Sequence, residues 1–161
     1  MRKIRNSRMV WYVAALSLLL LGGRGTDIGR LRPVEVVQLT EKDGLLFLET
    51  DTGDVGWGLT INQAVQKLKE TTPGQIYLDT ADFVLLEEGL EEYIPDLRSY
   101  LKRRTRMAYG AKGVDLPMVA DYLRVHRPTG TIGNGRKPEE LLSFEGGKMI
   151  LKKLKKNENK C

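Results

Sequence analysis

Residues 33–50 read PVEVVQLTEKDGLLFLET. Two runs rich in apolar and β-branched residues, 33–40 and 45–50, flank Glu41, Lys42, Asp43 and Gly44. An Asp-Gly pair between such runs signals a β-hairpin, because both residues tolerate the positive φ that a tight hairpin turn requires. Residues 51–58 (DTGDVGWG) follow and read as a glycine-rich loop. Thr60 and Gln63 then stand at capping-box spacing, so each side chain can satisfy an orphan backbone amide at the start of a helix. Ile61, Ala64, Val65 and Leu68 fall on one face of that helix, and Thr71, Thr72, Pro73 and Gly74 stop it.

Further along, residues 76–78 predict a short strand, and residues 83–86 an apolar run that is strand or helix. Residues 91–104 predict the clearest helix: Tyr93, Ile94, Leu97, Tyr100 and Leu101 share one face. Pro95 is tolerated only in its first turn, which places the start near Tyr93 or Ile94. Arg98, Lys102, Arg103 and Arg104 then lie toward its C-terminus, where the helix dipole favours cations. Residues 106–111 predict a strand and 116–125 a short helix with Pro117 in its first turn. Residues 129–137 (TGTIGNGRK) read as a flexible loop. Runs 141–144 and 148–151 flank Glu145, Gly146 and Gly147 as a second hairpin. No internal repeat is present. The order β-β-α-β-β-α-β-α-β-β predicts an α+β fold with a mixed sheet and two to three helices, in a single domain over residues 33–151.

The 161 residues are 41% hydrophobic and 29% charged, a balance that supports a packed core. The net charge of +5 suggests a nucleic-acid binder until its location is considered. Residues 1–25 hold Arg2, Lys3, Arg5, Arg8 and Arg24 and no acid, and residues 152–161 hold five lysines against Glu158. Residues 26–151 carry 16 basic and 20 acidic residues, a net of −4. A body of that sign is not drawn to phosphate backbones, so nucleic acid is not an expected partner. The basic end at 152–161 reads as a solvated tail.

The N-terminus has a positive stretch, then thirteen almost wholly apolar residues at 9–21 (MVWYVAALSLLLL), then Gly22, Gly23 and Gly25. This is the pattern of a signal peptide or signal-anchor over residues 1–25, followed by a linker at 26–32. The apolar run falls short of the roughly 20 residues of a full bilayer span, so cleavage and retention as an anchor both stay open. Positive residues before the run place the remainder on the extracytoplasmic side of a membrane. Gly22 and Gly23 stand where a lipoprotein signal carries the cysteine to be acylated. Cys161 is the only cysteine, so no intramolecular disulfide or cysteine metal cluster can form.

Candidate chemistry is sparse, and no catalytic, cofactor-binding or metal-binding residue is assigned. His126, the only histidine, sits between Arg124 and Arg127 before Pro128 and reads as a histidine of a loop or helix end. Gly53, Gly56 and Gly58 precede a helix, but GxxGxG is not the dinucleotide spacing and no P-loop lysine follows. Asp79, Asp82, Glu87, Glu88, Glu91 and Glu92 form an acidic patch that reads as a solvated face. A secreted hydrolase would need two of these carboxyls, around Asp79 and Glu87, to converge in a cleft. Arg103, Arg104 and Arg106, with Lys102, form the densest basic run of the body and are candidate contacts to anionic headgroups or an acidic partner.

The middle of the chain resembles the N-terminal domain of the Ger(x)C family, the membrane-anchored lipoprotein subunits of nutrient germinant receptors in spore-forming bacteria. Gly58, Leu59, Thr60, Ile61, Asn62, Gln63 and Ala64, with Leu68, are similar to that family's Gly-x-Ser/Thr-apolar-x-x-Ala helix start. Residues 76–88 (IYLDTADFVLLEE) resemble its next segment, a Tyr-bearing strand followed by an apolar run ending in acids. Residues 97–106 (LRSYLKRRTR) resemble the following helix, and 111–123 occupy the place of a later small helix. Residues 143–149 (SFEGGKM) resemble a Phe-x-x-x-Lys hairpin. The likeness covers residues 30–125. It implies an exported, non-enzymatic binding or assembly module of spore germination, partnered by the membrane and a membrane protein; no small-molecule substrate is identified in the sequence. The alternative is a small anchored envelope scaffold unrelated to germination.

Overall fold

The computed structural model describes residues 31–154. The leader at 1–25, the linker as far as residue 30, and the chain from 155 to Cys161 lie outside the described residues. The described part is α+β with a mixed sheet and three helices, as its element order predicts.

The hairpin at 33–50 forms as expected. Strand β2 (Val36–Lys42) pairs antiparallel with β3 (Leu45–Thr50) across a two-residue loop, Asp43 and Gly44. Their φ values are 54° and 75°, the doubly left-handed turn for which Asp-Gly is suited. Pro33 does not belong to this hairpin. It ends a separate short strand, β1 (Leu31–Pro33), which pairs with β5 (Gln75–Tyr77) in a two-stranded sheet.

The glycine-rich stretch is only partly a loop. Gly53, with φ 82°, turns the chain, but Val55–Gly58 forms strand β4, antiparallel to β3. Helix α1 (Ile61–Thr71) lies directly on β4. A Cβ on Gly56 would stand 2.1 Å from the Ala64 carbonyl oxygen, and one on Gly58 would stand 2.5 Å from the Gln63 Cβ. These glycines exist for close helix–strand approach. Thr60 caps α1, its hydroxyl accepting from the Gln63 amide at 3.3 Å. The Gln63 side chain accepts from the Leu59 amide at 2.9 Å, one residue before the position a strict capping box uses.

Seven strands make the main sheet in the order β4-β3-β2-β6-β7-β8-β9, with β6 at Phe83–Leu86, β7 at Arg106–Gly110, β8 at Glu140–Glu145 and β9 at Lys148–Lys153. The central strands β2, β6, β7 and β8 are parallel, and antiparallel hairpins close both edges. All four residues of β6 are buried, as a strand covered on both faces requires. One face carries Val37, Leu39, Leu48, Val84, Leu86 and Met107 against Ile61, Ala64, Val65 and Leu68 of α1. The short helix α2 (Ile94–Leu97) adds Ile94 and Leu97 to the same core. The opposite face carries Val36, Phe83, Leu85, Ala108 and Leu142 against Leu116, Val119, Ala120 and Leu123 of helix α3 (Leu116–Val125). Burying Leu116, Val119 and Leu123 contributes roughly 1.5–3 kcal/mol per side chain.

Three expectations are corrected. The helix expected at 91–104 reduces to a 3-10 turn at Glu91–Tyr93 and the single turn of α2. The Ser99 hydroxyl donates to the Asp96 carbonyl at 2.6 Å, and the Ser99 and Tyr100 amides bond back three residues, so the chain tightens into turns after Leu97. The apolar pattern was still informative, since Leu97 and Leu101 are buried and Tyr100 packs beside them. The loop at 129–137 is held in place: Thr131 bridges Arg106, Ile132 is fully buried, and residues Ile132–Asn134 form a 3-10 turn. Lys152 and Lys153 continue strand β9 instead of starting the tail, although both stay exposed.

Candidate anion-binding cleft

The parallel strands all begin at one end of the sheet, and there the backbone brings four arginines around one cleft. The Phe83 amide and the Asp82 amide both donate to the Glu35 carbonyl at 3.0 Å, fixing the start of β6 beside the loop that leads into β2. Phe83 is in register with Arg106, whose amide donates to the Asp82 carbonyl at 2.8 Å. The preceding turn is pinned from below. Thr105 is fully buried, and its hydroxyl donates to the Ala81 carbonyl at 2.8 Å. The Gly133 amide donates to the Arg103 carbonyl at 2.9 Å, and a Cβ on Gly133 would stand 2.5 Å from that oxygen.

The other wall is the end of α3. Its amphipathic burial sets the last turn over the sheet, so Arg124 projects beside Glu35. Arg124 donates to both Glu35 carboxylate oxygens, at 2.8 and 2.5 Å, and to Asp121 at 2.8 Å. The Glu35 hydrogen bonds hold its guanidinium above the usual arginine range. Arg127 donates from Nε to the Arg124 carbonyl at 3.3 Å. Arg106 donates to the Pro128 carbonyl at 2.5 Å. Buried Glu140 steadies that segment by accepting from the Thr129 amide at 2.7 Å.

The result is a cleft of about 290 Å³ lined by Asp82, Phe83, Arg104, Arg106, Arg124 and Arg127. Arg124 is neutralised sideways by Glu35 and Asp121. Among the described residues no carboxylate forms an ion pair with Arg104, Arg106 or Arg127. Three guanidinium groups therefore share one concavity with a single lining acid, Asp82, in a body whose charge is negative overall. That arrangement is suited to an anion with several acceptor oxygens.

Two of the three arginines expected as contacts, Arg104 and Arg106, line the cleft, whereas Arg103 is exposed outside it. Arg124 and Arg127 come from some twenty residues further on, and only their adjacency to His126 marked them in the sequence. His126 caps the end of α3, exposed, with its ring stacked on Tyr122 at 4.5 Å between centroids. The acidic patch is dispersed. Strand β6 separates Asp79 and Asp82 at its start from Glu87 at its end, roughly 13 Å along four extended residues. Glu87 pairs with Lys112 at 2.8 Å and accepts from the Glu41 amide, so Asp79 and Glu87 do not converge. Among the described residues no group of histidine, cysteine, aspartate or glutamate could hold a metal ion, and no helix is long and apolar enough to cross a membrane.

No protein-family model matches the chain, and neither a curated protein sequence nor a solved structure matches it.

Proposed function

We propose that this chain is an exported, membrane-associated, non-enzymatic binding module, similar to the N-terminal domain of germinant-receptor lipoproteins and acting with a membrane protein in spore germination. The observation that carries the reading is the place of the arginine cleft. It lies where the chain comes into the domain: Glu35, directly before β2, is the residue that grips Arg124. If the leader is retained in the bilayer, the five residues 26–30 before β1 leave a reach of at most roughly 18 Å, which keeps this end of the domain near the lipid surface. A cluster of unpaired arginines at that end supports a contact with an anionic surface or partner.

Membrane fractionation with N-terminal sequencing tests the export. Recovery with membranes with Met1 intact supports the anchored reading, a new N-terminus near Thr26 in the soluble fraction supports export but removes the anchor, and a cytoplasmic protein that keeps Met1 overturns export. The germination role is tested separately by deleting the gene in the native spore-former. Slowed nutrient germination is expected. Normal germination together with membrane recovery points to the envelope scaffold instead.

A further inference from the structure

We infer that the arginine cleft holds the phosphate of an anionic phospholipid headgroup; the choice of a lipid as the source rests on the membrane-proximal placement proposed above. Guanidinium groups present paired N–H donors in a plane that match phosphate oxygens, and they shed water more readily than ammonium groups. Arg106 is the fixed member, since it lines the cleft with its Nη1 tied to the Pro128 carbonyl and, among the described residues, no carboxylate paired to it. Arg104 and Arg127, both exposed, flank it from the β7 turn and from the end of α3. Holding three like charges together costs free energy in the unliganded protein, and a phosphate offsets that cost.

Size and surroundings favour a headgroup over an acidic protein segment. The cleft, about 290 Å³, is at the small end of ligand sites and suits one phosphate with its glycerol. Phe83 supplies an apolar part of the lining. Val125, 77% exposed, ends α3 directly after Arg124. An exposed apolar residue at the helix end that borders a cationic cleft suits a headgroup layer.

The test is arginine footprinting with phenylglyoxal on the full chain, incubated with nanodiscs of phosphatidylcholine alone or mixed with phosphatidylglycerol. Modification of Arg104, Arg106 and Arg127 is expected to slow by about five-fold or more in the phosphatidylglycerol discs, with Arg103 unaffected. In the double variant Arg104→Gln/Arg127→Gln, Arg106 is expected to lose that protection while the thermal midpoint holds, because both side chains are exposed and, among the described residues, the only contact removed is the long 3.3 Å bond from Arg127 to the nearby Arg124 carbonyl. Equal modification in both discs overturns the site. Equal protection by inorganic phosphate with phosphatidylcholine discs overturns the lipid as its source, and so does protection only by an added polyglutamate peptide. Membrane recovery without protection removes this inference alone. Protection of a protein that fractionates as cytoplasmic removes the export reading alone.

Discussion

At the residue scale, the glycines of β4 and the Tyr109–Glu91 contact carry measurable consequences. Gly56 meets the backbone of α1 rather than a flexible side chain, so nothing nearby can give way cheaply. Gly56→Ala is expected to destabilise the domain by about 1–3 kcal/mol through overpacking, read as a lower denaturant midpoint. The Tyr109 hydroxyl donates to Glu91 at 2.6 Å. That bond is the main cause holding the Glu91 carboxyl below its ordinary value of 4.5. Burial, and then the same bond, pushes the Tyr109 phenol well above 10. For Glu91 the stabilisation is complete above about pH 4.5 and is lost as pH falls through the lowered pKa. For Tyr109 it is complete below pH 10 and is lost as pH rises through the raised one. Tyr109→Phe is therefore expected to cost about 1 kcal/mol at neutral pH and to flatten both the acid and the alkaline limbs of the stability profile, followed by thermal unfolding against pH.

At the element scale, both hairpins and the two longer helices were legible from short-range rules. Asp43-Gly44 and Gly146-Gly147 have the positive φ their turns need, whatever the rest of the chain does. The limits of α3 are those its apolar spacing predicts, with Pro117 tolerated near the start, and Asp115 caps it by accepting from the Met118 amide. Helix α1 depends on its cap more directly. Thr60→Ala is expected to cost about 1 kcal/mol, seen as loss of helical signal at lower temperature, with a smaller loss for Thr60→Ser. The segment after Leu97 misled for a physical reason. Apolar residues at helical spacing also satisfy a chain of successive turns, and periodicity cannot register the competition from Ser99.

At the scale of the whole molecule, one sheet carries a core on each face. Leu68 lies on the α1 side and Leu123 on the α3 side, both fully buried. Each Leu→Ala substitution is expected to cost about 2–5 kcal/mol, and the two should shift one common transition. Coincident far- and near-ultraviolet circular dichroism melts check this, and separate transitions would mean that the two faces unfold independently. The cleft also belongs to this scale. Arg104 and Arg106 come from the turn into β7, and Arg124 and Arg127 from the far end of α3. Only the parallel arrangement of β2, β6 and β7 brings them to the same end.

The sequence by itself determined the α+β class, the two hairpins, the capped start of α1 and the core positions of α1 and α3. Each of these follows from turn chemistry or from side-chain periodicity within a few residues. Tertiary structure alone decided that Gly56 and Gly58 make a strand under a helix, that the acids around β6 are divided between its two ends, and that four arginines share a cleft. Those outcomes depend on which strands become neighbours and in which direction they run. No local spacing encodes that choice; it is made by the burial of both sheet faces at once. The hairpin at 33–50 is the local feature from which the sheet is built, but the strand that lies beside it, β6, arrives only after α1 has crossed the sheet.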